Sequence, residues 1–531
     1  MLNIALILSV AGGAIIASAF VFFCCFPMLG ILQQENYGGK AFIKWYFKKN
    51  NMLPRRIELF TLSLVLLVTL FDLCFSFAGT VYANLISALP FIGMCALYLF
   101  SGQKYALKVP VKRTGRLMRL GVCGYLLTAA VFFGVCIGGA AIAIAADLHA
   151  ISLLRFVPVC LLPLIMPFVF VAANFIMKGY ELPRNRRFLR KAKKALSASA
   201  CVKVGITGSC GKTSVKQMAA AILGEKMRAF ATPSSYNTPI GIARTVNEHG
   251  LDCDVFLAEM GAKHTGDIAE LCDLVQPAFG VITAVLPQHL ETFGSVQAIA
   301  AEKGVLASRA QKCVIGKSAA EAGIRAEGAL VWGEHFAAEE VVCTCEGTQF
   351  LLRLPDGSVG VKTALLGRHA AEDIALAAAL CHLLGMSKEE IASGIAAIQP
   401  IPHRLQKIEG NGLHILDDSY NSNIQGAQNA VETLRLFPGK KAVITPGLVE
   451  LGVLEGEANE ALGASLVGLD AVILVGETLV LSVRKGYLEA GGEEEKLHLA
   501  STLEKATELL SQTLTAGDSV LFLNDLPDVY L

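Results

Sequence analysis

Five apolar runs lie in the first part of the chain, at about residues 3–29, 57–78, 80–101, 120–146 and 151–177. Each reaches the roughly 20 residues that an α-helix needs to cross a hydrocarbon core. No comparable run follows. The pattern predicts a five-helix transmembrane domain with a basic juxtamembrane segment over residues 1–195. Ala17-Ser18-Ala19 mimics a signal-cleavage site, but the run has no basic stretch before it and continues past it. A retained helix is therefore expected.

From about residue 196 the period changes. "VKVGIT" (202–207), "DVFLAEM" (254–260) and "FGVITAVL" (279–286) are short β-rich runs, with helical stretches such as "VQAIAAEKGVLASRA" between them. Strands alternating with helices predict a parallel, doubly wound α/β sheet. A helical stretch at about 370–399 ends at "IQPIPHRL", where two prolines flank Ile401 and mark a domain boundary. Beyond it "LHILDD", "KAVITPG", "DAVILVG", "KLHLAS" and "DSVLFL" repeat the strand signal. The expected organisation is a central domain over 196–400 and a Rossmann-like domain over 401–531.

Charge orients the first region. Lys40, Lys44, Lys48, Lys49, Arg55 and Arg56 separate runs one and two. Lys104, Lys108, Lys112, Arg113, Arg116 and Arg119 separate runs three and four, and Lys178 to Lys194 follow run five. The other two connections hold no Lys or Arg. Basic loops stay on the cytoplasmic side, so a multi-pass protein of the cell membrane is expected, N-terminus outside and residues 178–531 in the cytoplasm. Asp72 and Arg155 fall inside runs, as a mutual ion pair, as snorkelling side chains or as a functional pair. The basic stretch after run five serves either as the orientation signal alone or as a contact for anionic membrane lipids.

Overall, 53% hydrophobic and 17% charged residues exclude a disordered or collagen-like chain. A net charge of +1 gives no reason to expect a nucleic-acid partner. Seven of the fifteen cysteines sit in or beside the apolar runs, and the other eight include no C-x-x-C pair. Reduced thiols are expected, without disulfides or a zinc site.

Chemistry concentrates at "GITGSCGKTS" (205–214), which ends a strand and opens a helix. Backbone N–H groups of such a loop, with the helix N-terminus, cradle phosphates. Gly208, Ser209, Cys210, Gly211, Lys212, Thr213 and Ser214 are thus candidate ATP-binding residues. Lys212 would reach the outer phosphates, and Thr213 would offer its hydroxyl to Mg²⁺. The strict G-x-x-x-x-G-K-[ST] pattern would need Gly at 206, which is Ile.

T-G-x-x-G-K-T resembles the loop of the Mur ligases, ATP-dependent amide ligases of peptidoglycan precursor synthesis. "AEMGAKHTGDI" (258–268), "HLETFGSVQAIAAEKG" (289–304), "GRH" (367–369), "PHRLQ" (402–406) and "DDSYNSN" (417–423) follow in the same order. They resemble the branch that adds D-alanyl-D-alanine to UDP-N-acetylmuramoyl-tripeptide. The resemblance covers about residues 200–525.

The resemblance implies a set of roles. Glu259 and His289 match magnesium ligands, alongside Thr213. Lys303 matches a lysine that CO₂ carbamylates. Arg404 matches an arginine brought to the γ-phosphate, Asp418 an acid that contacts the ATP ribose, and His369 a residue near the adenine. Asn237, Tyr420, Asn421 and Asn423 match positions near the substrates. Catalytic roles then fall to Lys212, Lys303, His289 and Arg404. The family pattern G-x-H-N-x-x-N is altered, with Ala370 and Asp373 at the two amide positions. Lys263 replaces a usual Asn. "VLFLNDLPD" stands where a Lys-Gly-Ser-Arg-like segment is common. The five apolar runs replace the domain that grips the UDP end.

These matches imply an acyl-phosphate mechanism that joins D-alanyl-D-alanine or another amine to a muramoyl peptide, soluble or lipid-linked. Two alternatives stay open: a catalytically altered scaffold at the membrane, and an ATP-driven transporter.

Overall fold

The computed structural model describes residues 18–19, 22, 25–35, 37–47, 113–145, 157–288, 290–420, 423–449, 451, 454–476 and 479–524. The chain divides into two units, Met1–Arg184 with Pro527–Leu531, and Asn185–Leu526. The runs predicted at 57–78 and 80–101 lie outside the described residues, as do Asp72 and Arg155.

In the first unit residues 25–34 are helical, and the run predicted at 120–146 falls in a helix over Gly115–Ala145. The fifth run enters a helix over Val157–Ala198. Phe22, Leu29, Leu32, Phe42, Leu117, Leu120 and Phe170 form a buried apolar cluster. Other large apolar side chains on these helices face outward, with Val122, Leu126 and Phe175 exposed. Among the described residues, one helical stretch, Ile165–Ala198, is both long and apolar enough to cross a membrane. Arg119 donates from Nε to the buried Glu181 at 2.8 Å, and Asn174 donates to the Tyr37 carbonyl at 2.9 Å.

Among its described residues the second unit holds three sheets. In the first, β1 (Val202–Thr207), β2 (Ala229–Ala231), β3 (Val255–Glu259), β4 (Phe279–Ile282), β5 (Lys312–Ile315) and β6 (Leu330–Val331) are parallel. Their order is β2-β3-β1-β4-β5-β6. Helices cover both faces, which is why these strands read as continuous apolar runs. The connections from β1 and β4 leave the sheet in opposite directions, so a crevice opens at their carboxyl ends. The phosphate loop follows β1 there.

A three-stranded antiparallel sheet comes next: β7 (Ala337–Thr344), β8 (Gly347–Leu354) and β9 (Gly357–Thr363). The helical stretch expected at 370–399 is two helices, Arg368–Leu383 and Lys388–Ala396. Gly385, at φ +89°, supplies the break, and Ser387 with Glu390 forms a capping box on the second helix.

The third sheet contains β10 (Gln406–Gly410), β11 (Leu413–Asp418), β12 (Lys441–Thr445), β13 (Ala471–Val475), β14 (Leu497–Ala500) and β15 (Ser519–Leu523). The order is β10-β11-β15-β12-β13-β14, parallel except for the antiparallel edge strand β10. All five strands expected from the sequence after the proline pair are present.

Candidate functional site

The phosphate loop is fixed from two sides. Gly211 caps the helix Lys212–Leu223 at φ +77°, a conformation that costs a side-chain-bearing residue energy. A Cβ there would also stand 2.6 Å from Asp373 Oδ1. On the other side the Ser209 N–H donates to the Ala284 carbonyl at 2.7 Å, and the Leu286 N–H donates to Ser209 Oγ at 3.0 Å. Thr283 Oγ1 donates to the Cys210 carbonyl at 2.5 Å. The segment after β4 thus holds the loop open at the crevice.

Lys212 curls onto this loop, donating from Nζ to the carbonyls of Gly208 at 2.7 Å and Ser209 at 2.9 Å. Burial lowers its pKa, and the Glu259 carboxylate opposes that shift. Thr213, the next residue, donates from Oγ1 to Glu259 Oε2 at 3.0 Å. Glu259 ends β3 beside Ile206 of β1, so its carboxylate reaches the first turn of the loop helix. Two oxygens of hard-ligand type thus stand together, which suits Mg²⁺. Among the described residues no cluster of three His, Cys, Asp or Glu side chains offers a rival metal site. His289 lies outside the described residues.

Lys216 is the residue that sequence reading missed here. Its Nζ donates to Glu259 Oε2 at 2.9 Å and to the Ser234 carbonyl at 2.5 Å. Lys216 and Glu259 are each 1% exposed. The available signal was spacing: Lys216 is one helical turn beyond Lys212 and Thr213, on the same face. Asn237 donates from Nδ2 to Glu259 Oε1 at 3.3 Å, so it braces that carboxylate.

Lys303 is buried in the helix Val296–Arg309. Burial, helped by the charge of Lys212, pushes its pKa down to about 7. Its neighbour Glu302 accepts from the N–H groups of Gly266 at 2.8 Å and Ile268 at 2.7 Å, holding the start of the helix Asp267–Val275.

A cavity of about 340 Å³ joins the loop to the third sheet. Cys210, Gly211, Ser214, His369 and Asp373 line one side, and Arg404, Asp418 and Asn423 the other. Asp418 accepts from the Leu405 N–H at 3.1 Å, fixing the turn that carries Arg404. The Arg404 guanidinium lies 4.1 Å from the Tyr420 ring centre, a cation–π contact. Asn423 caps the helix Ile424–Leu434, accepting from the Gly426 N–H at 2.8 Å. Asn421 lies outside the described residues.

The altered family positions differ in their surroundings. Ala370 packs into the apolar core. Asp373 faces the loop, and burial with the nearby Glu372 charge raises its pKa to about 8. Burial lowers His369 to about 4, so its imidazole is neutral. Among the described residues its buried Nδ1 has no hydrogen-bond partner, a polar atom left for a ligand in the cavity wall.

Residues 206–381 match the Mur ligase middle domain, and residues 403–524 the Mur ligase glutamate ligase domain. UDP-N-acetylmuramoyl-tripeptide–D-alanyl-D-alanine ligase of Escherichia coli is 32% identical over 290 residues, 52% of this chain and 64% of that protein. The enzyme of that name from Bacillus subtilis is 26% identical over 60% of this chain and 72% of its own length. The MurF ligase of Thermotoga maritima, solved in complex with ADP, superposes with a TM-score of 0.59 at 26% identity, covering 65% of this chain and 81% of that one. The chain therefore spans a little under two thirds of the E. coli relative. With both domain matches in order across more than half of its length, this chain belongs to the Mur ligase family, whose members are ATP-dependent ligases forming carbon–nitrogen bonds.

Proposed function

We propose that the chain is a membrane-anchored ATP-dependent ligase of cell-wall precursor synthesis, joining D-alanyl-D-alanine or a related amine to a muramoyl peptide. The observation that carries this reading is the cavity in which the phosphate loop meets Arg404 and Asp418. The similarity to the D-alanyl-D-alanine ligases supports the choice of substrates.

In this reading the carboxylate of the muramoyl peptide attacks the γ-phosphorus of ATP and ADP leaves. The amine then attacks the acyl phosphate, and phosphate departs as the amide forms. Loop N–H groups and Lys212 hold the phosphates, while Arg404 neutralises charge as it develops. Asp418 positions the arginine's turn. Thr213 and Glu259 would hold Mg²⁺, which neutralises phosphate oxygens when bound. Lys303, with its lowered pKa, has a substantial neutral fraction near pH 7, the form that adds CO₂ to become a carbamate. The new N–C bond forms as the nitrogen gives up one proton to solvent, leaving an oxygen-donor anion at the end of the side chain.

The outward-facing Val122, Leu126 and Phe175, and the long apolar helical stretch Ile165–Ala198, support anchoring. In this reading the topology follows the basic loops, which would put the ligase domains in the cytoplasm. A membrane-held ligase suits a lipid-linked acceptor presented at the bilayer surface.

The test uses the full chain in lipid nanodiscs with ATP, Mg²⁺ and D-alanyl-D-alanine. Soluble and lipid-linked muramoyl tripeptides are compared by ADP release and product mass. Amide product that disappears in Lys212→Ala supports the ligase. ATP turnover indifferent to amine and peptide overturns it. Equal activity on both acceptors overturns the lipid-linked preference alone.

A further inference from the structure

Glu259, itself 1% exposed, receives three side-chain hydrogen bonds. Thr213 Oγ1 and Lys216 Nζ share Oε2, at 3.0 and 2.9 Å, and Asn237 Nδ2 approaches Oε1 at 3.3 Å. Only Lys216 brings charge. Its ammonium is anchored a second time on the Ser234 carbonyl, so its position does not depend on Glu259 alone. A buried carboxylate without a counter-charge is costly, and this lysine supplies one from within the protein.

The same geometry places a fixed positive charge one hydrogen bond from the oxygen that a metal ion would use. We infer that Lys216 is an internal cation that occupies the electrostatic position of the divalent ion at Thr213–Glu259 and thereby weakens the binding of a free ion there. The inference rests on the reading of Thr213 and Glu259 as metal-holding residues. Two like charges sharing one carboxylate oxygen in a low-dielectric space repel strongly. In the protein without nucleotide the Glu259 charge is therefore already met by Lys216, and Lys212 stands near as a second cation. A divalent ion gains most when phosphates arrive with it and bring the negative charge to offset both cations. Lys216 thus acts as a positioning residue: it sets the charge and orientation of Glu259 without needing to touch the nucleotide.

The experiment is Mn²⁺ binding to the full chain without nucleotide, followed by electron paramagnetic resonance and by Mn²⁺-dependent thermal stability. Lys216→Met keeps the length and removes the charge, Lys216→Arg keeps the charge, and Glu259→Gln removes the ligand. The expected result is a Kd for Mn²⁺ at least tenfold tighter in K216M, close to the parent in K216R, and binding lost in the K216M/E259Q pair. A merely structural lysine predicts the reverse, weaker binding in K216M through a disordered carboxylate. K216M that folds only when Mn²⁺ is present also supports the inference, because the ion then replaces the ammonium. Unchanged or weaker binding in K216M, or failure to fold with and without Mn²⁺, overturns it, as does K216R binding tenfold tighter than the parent. If the parent binds Mn²⁺ and Glu259→Gln abolishes that binding, the metal-site reading survives such a failure. If Glu259→Gln binds Mn²⁺ as the parent does, the metal-site reading itself fails.

Discussion

The Asp418 carboxylate accepts a hydrogen bond from the Leu405 N–H at 3.1 Å, tying the end of β11 to the turn on which Arg404 sits. His403 and Leu405, on either side of the arginine, both have positive φ, at +61° and +48°. Such backbone needs outside support to persist.

Asp418 therefore holds Arg404 as well as lining the cavity. Asp418→Ala is expected to lower kcat by about tenfold or more and to cost about 1 kcal/mol of stability through the freed N–H. Asp418→Asn keeps an acceptor and should retain most of the stability. ADP release and urea unfolding of both variants check this; equal losses in the two would show that charge, not the turn, is what matters.

Lys303 carries a cost of burial. Its folded pKa is about 7, against an unfolded value near that of a free lysine, about 10.4. Between those values the unfolded chain binds more protons, so stability rises with pH across that window. Lys303→Met should remove the burial penalty and stabilise the protein by about 1–3 kcal/mol at pH 7. In CO₂-free buffer that advantage should narrow as pH is raised towards 10. Ligase activity should be lost throughout. Thermal unfolding across pH, beside ADP release, measures both.

How much of this was legible in the sequence depends on how local each signal was. The loop from Gly208 to Ser214 announces itself because phosphate binding needs adjacent backbone N–H groups, and β1 and its helix flank it directly. The strands after residue 403 were legible because burial on both faces makes continuous apolar runs. The antiparallel β7–β9 was missed: its strands carry Glu339, Lys362 and other polar residues on an open face, diluting the signal. Lys216 was missed because its partner, Glu259, is distant in sequence and meets it only through the pairing of β1 with β3. Asn423 was read as a substrate neighbour, and the structure gives it a capping bond that any helix start could use.

Gly211 meets two separate obstacles to a side chain, its φ of +77° and the approach of Asp373. Gly211→Ala is expected to weaken ADP binding more than tenfold and to destabilise the protein by about 1–2 kcal/mol. Adding Asp373→Ala removes the contact but not the backbone strain. The pair should recover part of the stability and little of the affinity. Isothermal titration with ADP and thermal unfolding of the single and double variants check the division.

Asp373 is expected to make nucleotide binding sensitive to pH in a way that an amide at that position would not. Its folded pKa is about 8, well above that of a free carboxyl group, about 3.9, because burial and the Glu372 charge disfavour ionisation. Arg404 opposes the shift, and so does the hydrogen bond with Ser214. Between about pH 4 and 8 the folded protein binds the extra proton, so stability falls as pH rises through that window. Above pH 8 the folded carboxyl is also ionised, and a negative charge then faces Gly211, where the proposed reading puts the phosphates. ADP affinity in the parent should weaken severalfold between pH 7 and 9. Other groups titrate with it: Lys303 changes charge near pH 7, whereas His369 near 4 and Cys210 near 11 lie outside this range. Asp373→Asn separates the contributions, since it removes one carboxyl and leaves Lys303 in place. In that variant the ADP affinity should change less between pH 7 and 9, and unfolding should show a relative gain in stability that grows up to pH 8 and then levels. Parallel affinity curves for parent and variant would assign the pH response to the buried lysines beside the loop, Lys303 and Lys212, whose pKa values burial lowers.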